Sequence, residues 1–357
     1  MRETFKQMKN TPVINTAIIG FGLSGKVFHA PFLHCHSGFN MLKVLERNHQ
    51  YSKEIYPYVE VVKDYQEAIN DPNIDLIVIC TPNIYHYKLV KEALYAGKHV
   101  VIEKPITTTS KEAEDLIEIT EKVNKQLFVY HNRRWDGDFM SIENLILNNT
   151  LGNIVYYESH FDRYVPKIST KRSWKNTKLP ANGVLFDLGS HLIHQAITLF
   201  GLPQTISATI STNRKGSNVD DYFELIMQYP TLTAVLKSDM LVKDHNLRYV
   251  VKGEKGTYTQ YGIDPQEAVL NSGIMPEGEN WCRADEDNYG KLQLLRKNKT
   301  SKLKTIPGSY MSFYNNVYDV LAGKQSLIIE PSEGFDVIRI CEAAIESNSQ
   351  QKTIKFE

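Results

Sequence analysis

The sequence predicts an α/β protein of two domains, a doubly wound parallel sheet followed by an α+β domain with a mainly antiparallel sheet. Short apolar runs alternate with amphipathic stretches from Val13 to about Tyr130, and a Gly-x-Gly-x-x-Gly turn follows the first of them. After about residue 132, strand-like runs arrive one after another. Apolar strands separated by helices belong to a parallel sheet covered on both faces, whereas consecutive strands pair antiparallel. A chain of 357 residues is long enough for two cores, with domains expected at 1–132 and 133–357.

In chain order, the first domain's candidate strands are 13–20, 39–46, 59–62, 75–81, 99–104 and 127–131, with helical stretches at 86–97 and 110–125 among the connections. "DLIVICT" is apolar enough for burial on both sides, and "HYKLVKEALYAG" repeats its apolar residues at helical spacing. Beyond "NRRWDGDF" come a helix at about 138–149, a strand at 153–161, a basic loop, and a helix carrying "DLGSHLIHQ" (187–195). Strand-like runs follow at 205–212, 222–230, 233–241 and 248–261, then a polar, turn-rich stretch, 262–308, expected to be a surface excursion. Two helices, about 309–322 and 332–347, close the chain, and the last is placed to pack back on the first domain.

Composition excludes several classes of function. The 41 basic residues balance 41 acidic ones, so no electrostatic footprint points to nucleic acid or an anionic membrane. No apolar run reaches the roughly 18 residues of a membrane span, and the polar start, "MRETFKQMKNTPVIN", lacks the apolar core of a secretory signal. Cys35, Cys80, Cys282 and Cys341 show no paired spacing, which suits reduced thiols in the cytoplasm. The expectation is a cytoplasmic protein acting on a small molecule.

In "GFGLSG", Gly20, Gly22 and Gly25 stand between the first strand and a helix. There the first glycine permits a tight turn, the second lets backbone approach a pyrophosphate, and the third allows close helix–strand packing. Free N–H groups at the helix start, around Leu23 and Ser24, would face the phosphates. Cofactor choice turns on "LERN", where Glu46 is placed to take a ribose 2′-hydroxyl and Arg47 to pair with a 2′-phosphate. If Glu46 points away and Arg47 points in, NADP is preferred; the reading leans to NADP, with NAD as the alternative.

In an open α/β sheet, ligands bind beyond the carboxyl ends of strands. Thr81, Pro82, Asn83 and then His86 follow one strand; Glu103, Lys104 and Pro105 end the next. Lys104 is either a site residue or an edge lysine capping a carbonyl. Asn132, after the sixth strand, is a candidate hydroxyl partner, while Arg133, Arg134 and Trp135 read equally well as interdomain packing.

The motifs "GFGLSGKVFHAPF", "TPNIYHYKLVKEAL", "AGKHVVIEKP", "HNRRWDGDF", "SHFDRY", "DLGSHLIHQ" and "GIDPQEAVL" resemble those of the Gfo/Idh/MocA oxidoreductase family over essentially the whole chain. The last four look most like its NADP-dependent inositol dehydrogenases. The resemblance implies a Rossmann domain, then a domain on a large open sheet that often forms the dimer surface, hence a homodimer or homotetramer. It implies hydride transfer, without metal, between nicotinamide and a cyclic polyol or sugar of inositol type. It also implies that Lys104 sits beside nicotinamide and substrate, with a cis bond to Pro105, and it maps the family's Asp-x-x-x-His pair onto Asp187 and His191. Two departures stand out: His194 where related sequences usually carry an aspartate touching substrate hydroxyls, and Ala181-Asn182-Gly183 in place of a glycine-rich lead-in.

On a regular helix Asp187, His191 and His194 fall on one face, which suits a metal, a proton transfer or a satisfied core. A metal would need further ligands, and a core role suits His194 better than His191. Removing a hydroxyl proton calls for a base near neutral pKa, which imidazole supplies. Asp187 would orient His191 or stabilise its charged form, and Lys104 would bring positive charge to the developing alkoxide. Whether Lys104 or His191 takes the proton stays open. Tyr164 either closes over substrate or packs at an interface, and "KISTKRSWK" reads as a solvated loop. Competing functions are a keto-sugar or carbonyl reductase, and a non-catalytic NAD(P)- or sugar-sensing regulator. Lys104, Asp187 and His191 occurring together favour catalysis.

Overall fold

The computed structural model describes residues 12–168, 173–243, 247–278, 281–295 and 300–356, organised on two sheets. The first contains β1 (Ile14–Ile19), β2 (Phe39–Leu45), β3 (Glu60–Val62), β4 (Leu76–Ile79), β5 (His99–Ile102) and β6 (Leu127–Val129). Their order is β3-β2-β1-β4-β5-β6 and every pair is parallel. The connections carry α1 (Ala30–Cys35), α2 (Tyr51–Ile55), α3 (Gln66–Ile69), α4 (His86–Tyr95) and α5 (Ser110–Val123). β4 is buried at every position and β5 at all but its first, as a sheet between helical layers requires. The strand order reverses between β1 and β4, so the ligand crevice of such a sheet lies beyond their carboxyl ends. All six expected strands form where their apolar runs stand.

After α6 (Gly137–Leu147), the second sheet begins with β7 (Ile154–His160); α7 (Ser190–Phe200) then precedes β8 (Thr205–Ser211), β9 (Tyr222–Gln228) and β10 (Thr233–Asp239). One face carries Tyr157, Phe223, Leu225 and Leu236 into a common core with residues of α7 and the last helix. The alternate positions, Glu224 and Lys237 among them, stay half-exposed and pair with one another at 2.9 Å. That period-two pattern is the mark of a sheet with one solvated face. β7 and β10 run parallel within an otherwise antiparallel sheet.

Two stretches fold otherwise than their patterns predict. The run 248–261 is a hairpin, β11 (Leu247–Gly253) and β12 (Gly256–Tyr261), with Gly253 paired to Gly256. "GEKG" carries the signal, a two-residue polar link between glycines. The stretch 262–308 contains α8 (Gln266–Asn271), β13 (Gly290–Leu294) and β14 (Thr300–Leu303), which widen the sheet to nine strands. These outer strands set only Leu292, Leu294 and Leu303 against the core and expose Lys291 and Lys302, so they look like loop.

α9 (Met311–Leu321), α10 (Pro331–Gln350) and a short β15 (Ile354–Lys355) close the chain. Phe313, Tyr314 and Val317 of α9 share a core with Ile18, Phe32 and Phe39 of the first sheet and its helix. α10 packs along α5, where the backbone N–H and hydroxyl of Ser110 donate to Glu342 at 2.8 and 2.6 Å. Among the described residues no helix is long and apolar enough to cross a membrane.

Candidate active site

Gly20 holds a φ of +99°, a conformation that glycine adopts freely. At Gly25 a Cβ would stand 2.2 Å from the Gly20 carbonyl oxygen, whereas Gly22 faces open space. Gly20 and Gly25 thus meet the steric demands of a tight turn and close helix packing, and Gly22 leaves its side of the turn open. The following helix opens on a π turn, Ser24–His29, before α1. The Ser24 hydroxyl donates to Glu103, which also accepts from the Lys104 backbone N–H at 3.1 Å and faces His29 Nε2 at 3.1 Å. Burial pushes the Glu103 carboxyl up, but His29, Lys104 and Ser24 outweigh it and hold it below the usual range. His29 meets the Tyr314 hydroxyl at 2.6 Å, joining the glycine turn and the end of β5 to α9.

The Lys104–Pro105 bond is cis. Lys104 Nζ donates to the Asp187 carbonyl oxygen at 2.6 Å and to Oδ1 at 3.1 Å, while Lys175 Nζ donates to Oδ2 at 2.8 Å. Burial opposes the charge on Asp187, yet Lys175 and Lys104 hold its carboxyl far below the usual range. The expected Asp187–His191 partnership does not form: Asp187's partners are the two lysines. The reason is local. Leu185–Gly189 is a π turn, bonded i to i+5, and α7 begins only at Ser190. Asp187 lies inside that turn, ahead of the regular helix that carries the histidines, and its carboxylate is taken by the two lysines.

His191 is 6% exposed, and its Nδ1 has no hydrogen-bond partner among the described residues. Burial, and then Lys104, Arg133 and two neighbouring histidines, push its pKa well below the ordinary value, so the ring is neutral at pH 7. His194 is buried against α10, its Nε2 3.1 Å from Glu333. Its ring stacks on His131 at 4.2 Å, and both His131 nitrogens lack a partner among the described residues. His194, expected at substrate, is thus buried between His131 and Glu333.

The remaining candidates divide. Both Glu46 oxygens accept from backbone, from Tyr51 N–H at 3.1 Å and Ser52 N–H at 2.8 Å, so the carboxylate is engaged by the first turn of α2. Arg47 is exposed and has no ion pair among the described residues. Asn83 donates to the Ala181 carbonyl at 2.7 Å, fastening the lead-in loop. His86 spans the carbonyls of Thr81 and Pro105 at 2.9 and 2.8 Å, a structural clamp where a cofactor contact was expected. The Thr81 hydroxyl is buried without a partner among the described residues. Pro82 and Leu23 lie partly exposed, Asn132 is buried, and Tyr164 is exposed. Arg133 and Arg134 pack, Arg133 on Glu267, Asp136 and the Phe161 ring, Arg134 on Glu143.

Lys175 and Glu333 were not legible as site residues. Lys175 sits in the stretch read as a solvated loop, of which 169–172 lie outside the described residues. Glu333 sits in a helix start, three residues into a capping box with Glu330. Among the described residues, no three His, Cys, Asp or Glu side chains converge as a metal site.

A doubly wound sheet with a Gly-x-Gly-x-x-Gly turn, and a half-buried lysine at the carboxyl ends of its strands, defines the class as a dinucleotide-binding oxidoreductase. Residues 14–131 match the oxidoreductase family's NAD-binding Rossmann fold and residues 143–356 its C-terminal alpha/beta domain, so the chain belongs to the Gfo/Idh/MocA family. It is 36% identical to scyllo-inositol 2-dehydrogenase (NADP(+)) IolW of Bacillus subtilis, over 99% of this chain and 98% of that one. It is 26% identical to D-glucoside 3-dehydrogenase of Escherichia coli, over 95% and 96%. The solved structure of the Bacillus subtilis oxidoreductase YvaA superposes with a TM-score of 0.93 at 36% identity, covering 98% of this chain and all of that one.

Proposed function

We propose that this oxidoreductase is a cytoplasmic, NADP-preferring dehydrogenase of a cyclic polyol or sugar, of inositol type, and that it assembles as a homodimer or homotetramer through the large sheet. The observation that carries the reading is the ammonium of Lys104, held on Asp187 at the end of β5 beside a neutral His191. The relatives named for scyllo-inositol and D-glucoside support the substrate class.

Gly22, open where Gly25 is closed, suits a pyrophosphate, with Leu23 and Ser24 beside it. Glu46 capping α2 leaves Arg47 as the residue for a 2′-phosphate, which favours NADP. Thr81, whose buried hydroxyl has no partner among the described residues, and Glu103 would line the nicotinamide, and Asn132 the substrate. Bound nicotinamide supplies the acceptor for hydride. As that hydride leaves the carbinol carbon, the hydroxyl proton passes to Lys104 Nζ in its amine form and the C–O bond becomes a carbonyl. In the reverse direction the Lys104 ammonium returns the proton to the carbonyl oxygen. Neutral His191 orients the hydroxyl by a hydrogen bond, and Asp187 holds Lys104 in line.

The test is nicotinamide absorbance with NADP, then NAD, against inositol isomers and aldoses. Turnover of one isomer identifies the polyol. Silence across the panel, with NADP binding measured separately, would favour the sensing regulator.

A further inference from the structure

We propose that Lys175 is a positioning residue that loosens Asp187's hold on Lys104, keeping the Lys104 amine within reach for proton exchange. The inference rests on the reading of Lys104 as the proton-exchanging group.

One carboxylate here serves two ammonium groups. Lys104 takes the Asp187 carbonyl oxygen and Oδ1, and Lys175 takes Oδ2 from the other side. Alone on Asp187, Lys104 would be fixed as the cation, because an opposite charge at contact distance favours the charged form. Lys175 counters this in two ways. It shares the carboxylate's negative charge, and it places a like charge close to Lys104, which disfavours a second cation. The other groups facing Lys104 are Glu103 from its own strand, His86 from α4, His131 from the end of β6 and His191 from α7. Those imidazoles are neutral, so they add no comparable positive charge. Burial differs too: the Lys104 side chain is 13% exposed and that of Lys175 is 39% exposed. Lys175 therefore adjusts the charge of the site from its rim, at little desolvation cost.

The experiment uses the full chain and two variants, Lys175→Met and Lys175→Arg. Reactivity of Lys104 toward fluorodinitrobenzene is followed against pH by peptide mass spectrometry, and kcat and KM for the best polyol are followed over the same range. In Lys175→Met the Lys104 labelling midpoint should rise by about one pH unit or more. The acid limb of kcat should move the same way, with KM little changed, and Lys175→Arg should restore both. An unmoved midpoint in Lys175→Met, or failure of Lys175→Arg to restore it, overturns the proposal. A wild-type protein that oxidises no polyol or sugar sinks the dehydrogenase reading, while the labelling midpoints still decide the role of Lys175.

Discussion

His131 and His194 lie face to face, ring centroids 4.2 Å apart and planes 2° from parallel, and both are sealed from solvent. His131 follows β6, whose neighbour β5 leads to Lys104, and His194 reaches across to Glu333 on α10. Position 194 thus joins α7 to α10 and to the end of β6.

His194→Asp introduces the residue that the family resemblance leads one to expect at this position. The new carboxylate would face Glu333, and two carboxylates sharing a site resist ionising together. The pair's raised folded pKa makes the stability loss small near pH 5 and larger as pH rises. A penalty of about 1–3 kcal/mol is expected at pH 8. Thermal denaturation at the two pH values checks this, and equal losses would count against the contact with Glu333.

Lys104→Met and His191→Ala should each lower turnover by about 100-fold or more, the low end for groups that move or orient a proton. His191→Ala should leave NADP affinity intact by fluorescence titration. Unchanged turnover in both would remove proton exchange from this side of the cleft.

Arg47→Ala should weaken NADP by about tenfold, the scale of one hydrogen bond to a charged group, and leave NAD nearly unaffected. Equal losses for both cofactors would show that Arg47 does not read the 2′-phosphate.

Ala181 holds a φ of +54°, left-handed for a residue with a Cβ. Ala181→Gly should raise stability by about 0.5–1 kcal/mol, relieved strain exceeding the entropy cost of glycine. Denaturant titration measures it, and a loss of stability would mean that the Ala181 methyl contributes packing worth more than the strain.

The first sheet was legible because its signals are local: apolar runs such as "DLIVICT", and glycines between strand and helix. The site was legible as a set of residues but not as a set of partnerships. Asp187 and His191 stand four apart, but the Asp187 carboxylate is taken by Lys104 and by Lys175, which comes from a loop twelve residues earlier. Glu46 looks like a ribose ligand until α2 is seen to begin at Tyr51 and draw the carboxylate to its own N–H groups. Lys175 and Glu333 reach the site from a basic loop and from a distant helix start, where no periodicity marks them.

Tyr314 and Val317 of α9 fill the same core as Ile18 and Phe32, and Gly334 of α10 lies against Ile106 and Val129. The nucleotide-binding half is therefore finished by helices that begin at Met311, long after its own last strand ends at Val129. During synthesis it stands with apolar surface uncovered while β7 to β14 are translated. A fragment ending after β6 would keep that surface exposed permanently, so it is expected to be sticky and short-lived, unsuited to use as a detachable cofactor-binding module.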